Sequence, residues 1–114
     1  MSLYDTARPN PAGHRDVSVS DVSAAKGARL IDVREPDEYA GELGHIEGAV
    51  LVPLATVVAA AAAWPKDAEY VMVCRVGGRS ANAAQALRRL GFGKVMNMLG
   101  GMVAWNAAGL PTQK

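Results

Sequence analysis

A lone cysteine within a short glycine-containing segment is the residue best suited to nucleophilic chemistry. Cys74 is the only cysteine among 114 residues, and it begins the run Cys74-Arg75-Val76-Gly77-Gly78-Arg79-Ser80. The apolar residues that precede it predict a buried strand, and Arg79 to Leu90 predicts a helix. The thiol would then lie at a helix N-terminus, where unpaired N–H groups and the helix dipole favour negative charge. We therefore expect it to ionise easily, and the thiolate is the reactive form of cysteine.

The residues after the thiol are typical of an anion-binding loop. Gly77 and Gly78 tolerate positive φ and permit sharp curvature, so the N–H groups of residues 75–80, that of Val76 among them, can surround one sulfur. Arg75 and Arg79 add positive charge that can attract an anionic donor. Ser80 is expected mainly to cap the following helix. Each feature also has a plainer interpretation, in which the thiol is inert and buried and the arginines are solvated loop charges.

Composition excludes several classes of function. A net charge of +1 gives no reason to expect binding to nucleic acid or to a membrane. One cysteine rules out an internal disulfide framework and fits a reducing compartment. With only two histidines beside it, a structural zinc site is not expected, and nothing indicates a cofactor. The N-terminus lacks the apolar core of a signal peptide, so we expect a cytoplasmic protein.

Strand and helix signals alternate along the chain. Strands are predicted at 17–19, 29–33, 49–52, 70–73 and 94–98, and helices at 20–26, 36–40, 55–64, 79–90 and 102–108. Alternation of this kind predicts an α/β fold, here a five-stranded, mostly parallel sheet with helices on both faces. Ligands in such sheets bind beyond the carboxyl ends of the strands, where Cys74 would lie. Residues 1–16 are predicted to form an N-terminal extension that buries little surface, and residues 17–114 the domain.

Three blocks of sequence resemble the single-domain rhodanese family of sulfurtransferases. They are DVREPDEY at 32–39 with GHIEGA at 44–49, the loop of residues 74–80, and GGMVAW at 100–105 with GLP at 109–111. Rhodaneses carry a sulfane sulfur as a cysteine persulfide. The resemblance implies that Cys74 is the catalytic residue and that Arg75, Val76, Gly77, Gly78, Arg79 and Ser80 bind the substrate. It implies a small anionic donor, thiosulfate or a persulfide, and cyanide or a thiol as acceptor, including a protein thiol.

Departures from the family pattern and other functions of the fold leave alternatives open. Glu38 occupies a position where larger, two-domain members have a basic residue that helps bind thiosulfate, whereas Arg75 matches loops that use thiosulfate. The same Cys74 would also serve a sulfur carrier or interaction module with little small-molecule turnover. Phosphatases and arsenate reductases share this fold, but the phosphatases have five residues between cysteine and arginine. Only four separate Cys74 from Arg79, which favours a cradle for one sulfur.

Other polar residues of the signature blocks are expected to be structural. Asp32, Arg34 and Glu38 are predicted to form an ion-pair set at a strand end. His45 is expected to be a hydrogen-bonding residue with no catalytic role, and Trp64 and Trp105 to be core or rim aromatics.

Overall fold

The helices and strands alternate along the chain as the sequence predicts, and the computed structural model describes all 114 residues. The strands are β1 (Arg8–Pro9), β2 (Arg15–Val17), β3 (Arg29–Asp32), β4 (Val50–Leu51), β5 (Tyr70–Val73) and β6 (Val95–Met98). The helices are α1 (Leu3–Thr6), α2 (Val19–Ala24), α3 (Pro36–Tyr39), α4 (Val57–Ala61), α5 (Gly78–Arg89) and α6 (Gly101–Ala107), with a 3₁₀ turn at Leu54–Thr56. None of these helices combines the length and the apolar character needed to cross a membrane.

The six strands form one sheet in the order β1-β2-β6-β5-β3-β4. Every pairing is parallel except that of β1 with β2, because helical crossovers connect the other strands. The predicted α/β class and the mostly parallel sheet are confirmed. The predicted number of five strands is one too few, because β1 has only two residues, one of them Pro9, and gives no periodic signal.

Alternation along β5 divides the core into two layers. Tyr70, Met72 and Cys74 belong to the cluster under α4 and α5, whereas Val71 and Val73 belong to the cluster on the opposite face, with residues of α2 and α6. All four residues of β5 are buried, as expected for a strand covered on both faces. Cys74, which follows directly after β5, therefore lies on the face of the sheet that α5 covers.

The first 16 residues contact the rest of the protein through two buried side chains and two short strands. Ala7 and His14 are both buried, and β1 and β2 extend the sheet beyond β6. Two residues of this segment are thus buried, and backbone pairing of β1 and β2 attaches it to the sheet. The boundary proposed between residues 16 and 17 falls inside β2.

Some element ends differ from the predicted ones by a few residues. Ser18, not Ser20, caps α2 by accepting a hydrogen bond from the Asp21 N–H. The predicted first strand at 17–19 instead begins at Arg15 and ends at Val17. The alanine-rich helix predicted at 55–64 is a 3₁₀ turn followed by the short α4. These shifts leave the strand that carries Cys74 unchanged.

Candidate active site

Cys74 lies where β5 meets the N-terminus of α5, at the carboxyl end of a central strand. The helix begins at Gly78, and Gly77 is its N-cap residue with a φ of 108°. A side chain is strained in this left-handed region, so glycine is required here to turn the chain into the helix. The turn directs the Gly77 N–H back toward the thiol.

The sulfur of Cys74 accepts hydrogen bonds from two groups of its own loop. The Gly77 N–H donates at 3.0 Å, and the Ser80 hydroxyl lies 3.2 Å from Sγ. Cys74 is only 1% exposed, and this burial acts to raise the pKa of the thiol. The opposing hydrogen bonds, from the Ser80 side chain first and then from backbone N–H groups, outweigh burial and hold the pKa below its ordinary value. The thiol is therefore poised to ionise.

Ser80 faces the interior of the site and does not cap the helix. It is fully buried in the first turn of α5, and its hydroxyl lies 2.6 Å from Oδ1 of Asn97 as well as near the sulfur. The expected capping role is wrong, because Gly77 occupies the cap position and the turn places Ser80 over the sheet.

Asn97 also belongs to the site, although it lies in none of the sequence motifs. Its side chain is buried in β6, beside β5, and contacts the hydroxyl that reaches the sulfur. A signal was present in the sequence, since Asn97 interrupts the otherwise apolar run of Val95, Met96 and Met98. A buried amide in such a strand requires a hydrogen-bond partner.

Arg79 forms an ion pair with Glu38 within the protein. Its guanidinium donates to both oxygens of the Glu38 carboxylate, each at 2.7 Å. Hydrogen bonding by Arg79 lowers the pKa of Glu38 to about 2, and the same contact raises the pKa of Arg79. Glu38 therefore compensates the charge of Arg79, which weakens the attraction that Arg79 can exert on an anion.

A second ion pair, between Asp32 and Arg34, is deeply buried. Arg34 donates to both oxygens of the Asp32 carboxylate, at 2.9 and 2.7 Å. The same guanidinium donates to the backbone carbonyls of Glu38 and Gly44. Asp32 and Arg34 therefore form the structural pair that the sequence predicts, while the Glu38 carboxylate pairs with Arg79 instead. Arg34 holds α3 in the position from which Glu38 reaches the loop.

Arg75 and Val76 lie on the exposed outer side of the loop. Arg75 lines a groove of about 280 Å³ together with Asp37, Glu38 and Glu42. Gly78 is exposed at the start of α5. Of the two loop arginines, Arg75 is thus the one without an acidic hydrogen-bond partner, although it lies among acidic neighbours.

The N-terminus of α6 forms hydrogen bonds with the backbone of the Cys74 loop. The N–H of Met102 donates to the Cys74 carbonyl at 2.9 Å, and that of Val103 donates to the Arg75 carbonyl at 3.0 Å. A Cβ at Gly101, whose φ is 55°, would lie 2.5 Å from both carbonyl oxygens. The Gly100-Gly101 pair therefore allows the helix end to approach the loop closely enough to bind its backbone.

His45 and the tryptophans have structural contacts. The ring of His45 stacks on Tyr39 with centroids 3.7 Å apart, and its Nδ1 lies 2.9 Å from the Tyr39 carbonyl. Trp105 donates to the Pro111 carbonyl, and Trp64 stacks on Tyr70 in the core. No group of three or more His, Cys, Asp or Glu side chains is placed to hold a metal ion.

The hydrogen bonds to Sγ of Cys74 favour a reaction in which the sulfur acts as a thiolate nucleophile. Both hydrogen-bonded partners of the sulfur, the Gly77 N–H and the Ser80 hydroxyl, are groups that stay neutral near neutral pH. The site therefore offers a nucleophile and donors for its charge, without a general base in contact with it.

Comparison with known proteins places the chain among rhodanese-like domains. The family model described as "Rhodanese-like domain" matches residues 18–108. A protein named "Sulfurtransferase" from Allochromatium vinosum is 39% identical over 82 residues, which cover 72% of this chain and 75% of that protein. An uncharacterized Synechocystis protein, slr1261, is 40% identical over 85 residues, 75% of this chain but 46% of that protein's length. The crystal structure of a rhodanese-like domain protein from Staphylococcus aureus matches with a TM-score of 0.74 at 29% identity, over 87% of this chain and 98% of that one.

Proposed function

This chain is a member of the rhodanese-like domain family, and we propose that it is a sulfurtransferase that carries a sulfane sulfur on Cys74. The family, together with the relative named sulfurtransferase, supports a role in sulfur transfer. The proposal goes further, to the carrier residue, the donor and the acceptor. The single observation that carries it is the buried Cys74 sulfur held between the Gly77 N–H and the Ser80 hydroxyl.

The proposed reaction has two displacements at sulfur. The Cys74 thiolate attacks the outer sulfur of thiosulfate, a new S–S bond forms, and sulfite leaves with the electron pair of the bond that breaks. The cysteine is then a persulfide whose outer sulfur carries the negative charge. An acceptor such as cyanide attacks that outer sulfur, thiocyanate leaves, and the Cys74 thiolate is regenerated.

The surroundings of the sulfur suit a reaction of this kind. Neither displacement transfers a proton when donor and acceptor are anions, so no general base is required. What each step requires is stabilisation of a sulfur anion, which preorganised N–H and O–H donors supply. The Gly77 N–H, at 3.0 Å, is such a donor.

The donor that we propose is small and anionic, either thiosulfate or a persulfide. Arg75 is the loop cation available to meet it, since Glu38 binds Arg79. The acidic neighbours of Arg75 work against a dianion, so we expect thiosulfate to bind weakly. The acceptor is cyanide or a thiol, including a thiol of another protein.

Mass spectrometry of the intact protein tests this function. Thiosulfate should add the mass of one sulfur atom, and cyanide should then remove it. Cys74→Ser should show neither change, since a serine hydroxyl is not ionised near neutral pH. Failure of the unmodified protein to gain sulfur from thiosulfate or from a persulfide donor would overturn the proposal. A stable persulfide with negligible steady-state thiocyanate formation would instead identify a sulfur carrier.

A further inference from the structure

The Ser80 hydroxyl has one proton and two acceptors. It lies 3.2 Å from Sγ of Cys74 and 2.6 Å from Oδ1 of Asn97. A hydroxyl carries a single hydrogen, so Ser80 can donate fully to only one of them at a time. Ser80 is 0% exposed and Asn97 only 4%, so the position of this proton is decided inside the protein.

We propose that Asn97 is a positioning residue. Its Oδ1 accepts the hydrogen bond of the Ser80 hydroxyl when the Cys74 sulfur is uncharged, and the hydroxyl turns to donate to the sulfur when the thiolate forms. The carboxamide oxygen is the stronger acceptor when the sulfur is a thiol or a bridging sulfur. A thiolate is the stronger acceptor once it carries the charge. Ser80 thus follows the charge on the sulfur by rotating its hydroxyl.

This inference rests on the proposed function for its role in a reaction cycle. In the free enzyme the charge is on Sγ, which needs the Ser80 proton. In the persulfide the charge has moved to the outer sulfur, and Sγ is a neutral bridge. Without Asn97 the buried hydroxyl would then lack a good acceptor, which destabilises the persulfide form. Asn97 thereby keeps the Ser80 hydroxyl hydrogen-bonded in the persulfide as well as in the free thiolate form.

The neighbours of Asn97 define which other groups could influence the same titration. In the sheet its register partners are the uncharged Met72 of β5 and Asp16 of β2. Asp16 has a buried Oδ1 located 3.3 Å from Nε2 of His14. The charged residues of the loop region are Arg79 of α5, which is bound to Glu38 of α3, and Arg75. None of these groups hydrogen-bonds the Ser80 hydroxyl.

Titration of the Cys74 thiol tests the inference without any sulfur donor. Thiolate absorbance and the rate of iodoacetamide alkylation would be followed against pH in the full-length protein, with Cys74→Ser as the blank. Ser80→Ala should raise the thiol pKa. Asn97→Leu should lower it, by roughly 0.5–1 pH unit, because Ser80 then has no competing acceptor. A merely structural role of Asn97 predicts the opposite sign, since a loosened loop loses donors.

The double variant supplies the decisive comparison. In the Ser80→Ala background, Asn97→Leu should no longer lower the thiol pKa. Asn97→Val repeats the test with a residue that suits a strand, in case the leucine variant fails to fold. Repeating the titration with Asp16→Asn separates any contribution from Asp16 and His14. An equal effect of the Asn97 substitution with and without Ser80 would overturn the inference.

A second measurement concerns the persulfide. Asn97→Leu should shift the equilibrium between thiosulfate and the Cys74 persulfide toward the free thiolate, whereas Ser80→Ala should not. If neither thiosulfate nor a persulfide donor loads the unmodified protein or any variant, the proposed function fails, while the thiol titration still decides the role of Asn97. If loading is normal and the titration shows no coupling, the inference alone fails.

Discussion

Arg79 and Glu38 join helices α5 and α3 through two parallel hydrogen bonds of 2.7 Å. The arginine at the end of the Cys74 loop is consequently compensated by an acidic partner 41 residues earlier in the chain. Arg79 thus fixes the loop against α3, and its charge contributes less to substrate attraction than the sequence alone suggests.

Removing the Glu38 charge should improve binding of thiosulfate. Glu38→Gln keeps the shape of the side chain and an oxygen acceptor for Arg79 but leaves the guanidinium charge uncompensated. We expect a KM for thiosulfate that is roughly two- to fivefold lower at low ionic strength, with the gain reduced at high salt. The matched control is Glu42→Gln, which removes the same charge from the same groove without a contact to Arg79. Equal changes in KM for both variants would contradict a specific effect of the ion pair.

The same pair should make stability depend on pH in the acid range. The pKa of Glu38 is lowered from 4.5 to about 2 in the folded protein, so its ionised form stabilises the fold. This contribution is complete above about pH 4.5 and is lost as the pH falls through about 2. Urea unfolding of the unmodified protein and of Glu38→Gln, measured across this window, should show a difference that disappears toward pH 2. A difference that persists unchanged at the acid end would be inconsistent with this assignment.

Arg75 should contribute to donor binding more than to turnover. Arg75→Ala removes the exposed loop cation, so KM for thiosulfate should rise while kcat changes less, as for loss of ground-state binding. The rise should shrink at high salt. Arg89→Ala, at the exposed end of α5, is the matched control for net charge. An unchanged KM at low ionic strength would show that Arg75 is only a solvated charge.

Gly101 should tolerate alanine much less than Gly109 does. Both have positive φ, so alanine at either position is strained by about 1–2 kcal/mol. At Gly101 the new Cβ would also lie 2.5 Å from the Cys74 and Arg75 carbonyl oxygens, whereas nothing lies within 4 Å at Gly109. Gly101→Ala should therefore lower the free energy of unfolding further and reduce sulfur transfer at temperatures where it is still folded. Similar losses in both variants would argue against close packing of α6 on the loop.

Deleting residues 1–16 should lower the thermal midpoint by several degrees. The deletion removes β1 and most of β2, and with them the buried Ala7 and His14. A pair of point variants tests burial separately: Ala7→Asp places a charge in the interior, whereas Ala12→Asp places it on the exposed turn. Thermal unfolding of the three variants and of the unmodified protein provides the measurement. An unchanged midpoint after the deletion would support the division of the chain at residue 16.

Local patterns predicted the parts of the site that depend on neighbouring residues. The apolar run before Cys74 and the glycines after it placed the thiol between a strand and a helix, because both signals lie within a few residues of it. The contacts of Ser80 depend instead on where α5 begins, which the left-handed Gly77 decides. Asn97 reaches Ser80 only through the pairing of β6 with β5, and single-sequence periodicity does not specify strand register.

Long-range pairing explains the remaining differences. Proximity in sequence groups Glu38 with Asp32 and Arg34, yet the Glu38 carboxylate binds a residue of α5. The hairpin of β1 and β2 was missed because its strands have two and three residues. Elements this short derive their stability from the sheet to which they attach, and that sheet is assembled from distant parts of the chain.

The two edge strands of the sheet are both short, which limits strand pairing between copies of the protein. β1 and β4 are each two residues long, and β1 contains Pro9, which has no N–H to offer. Neither edge of the sheet presents the long row of unpaired backbone groups to which a strand of another molecule could add. The N-terminal hairpin thus places β1, with Pro9, at one edge in place of β2, so both edges of the sheet offer few free backbone groups for strand addition.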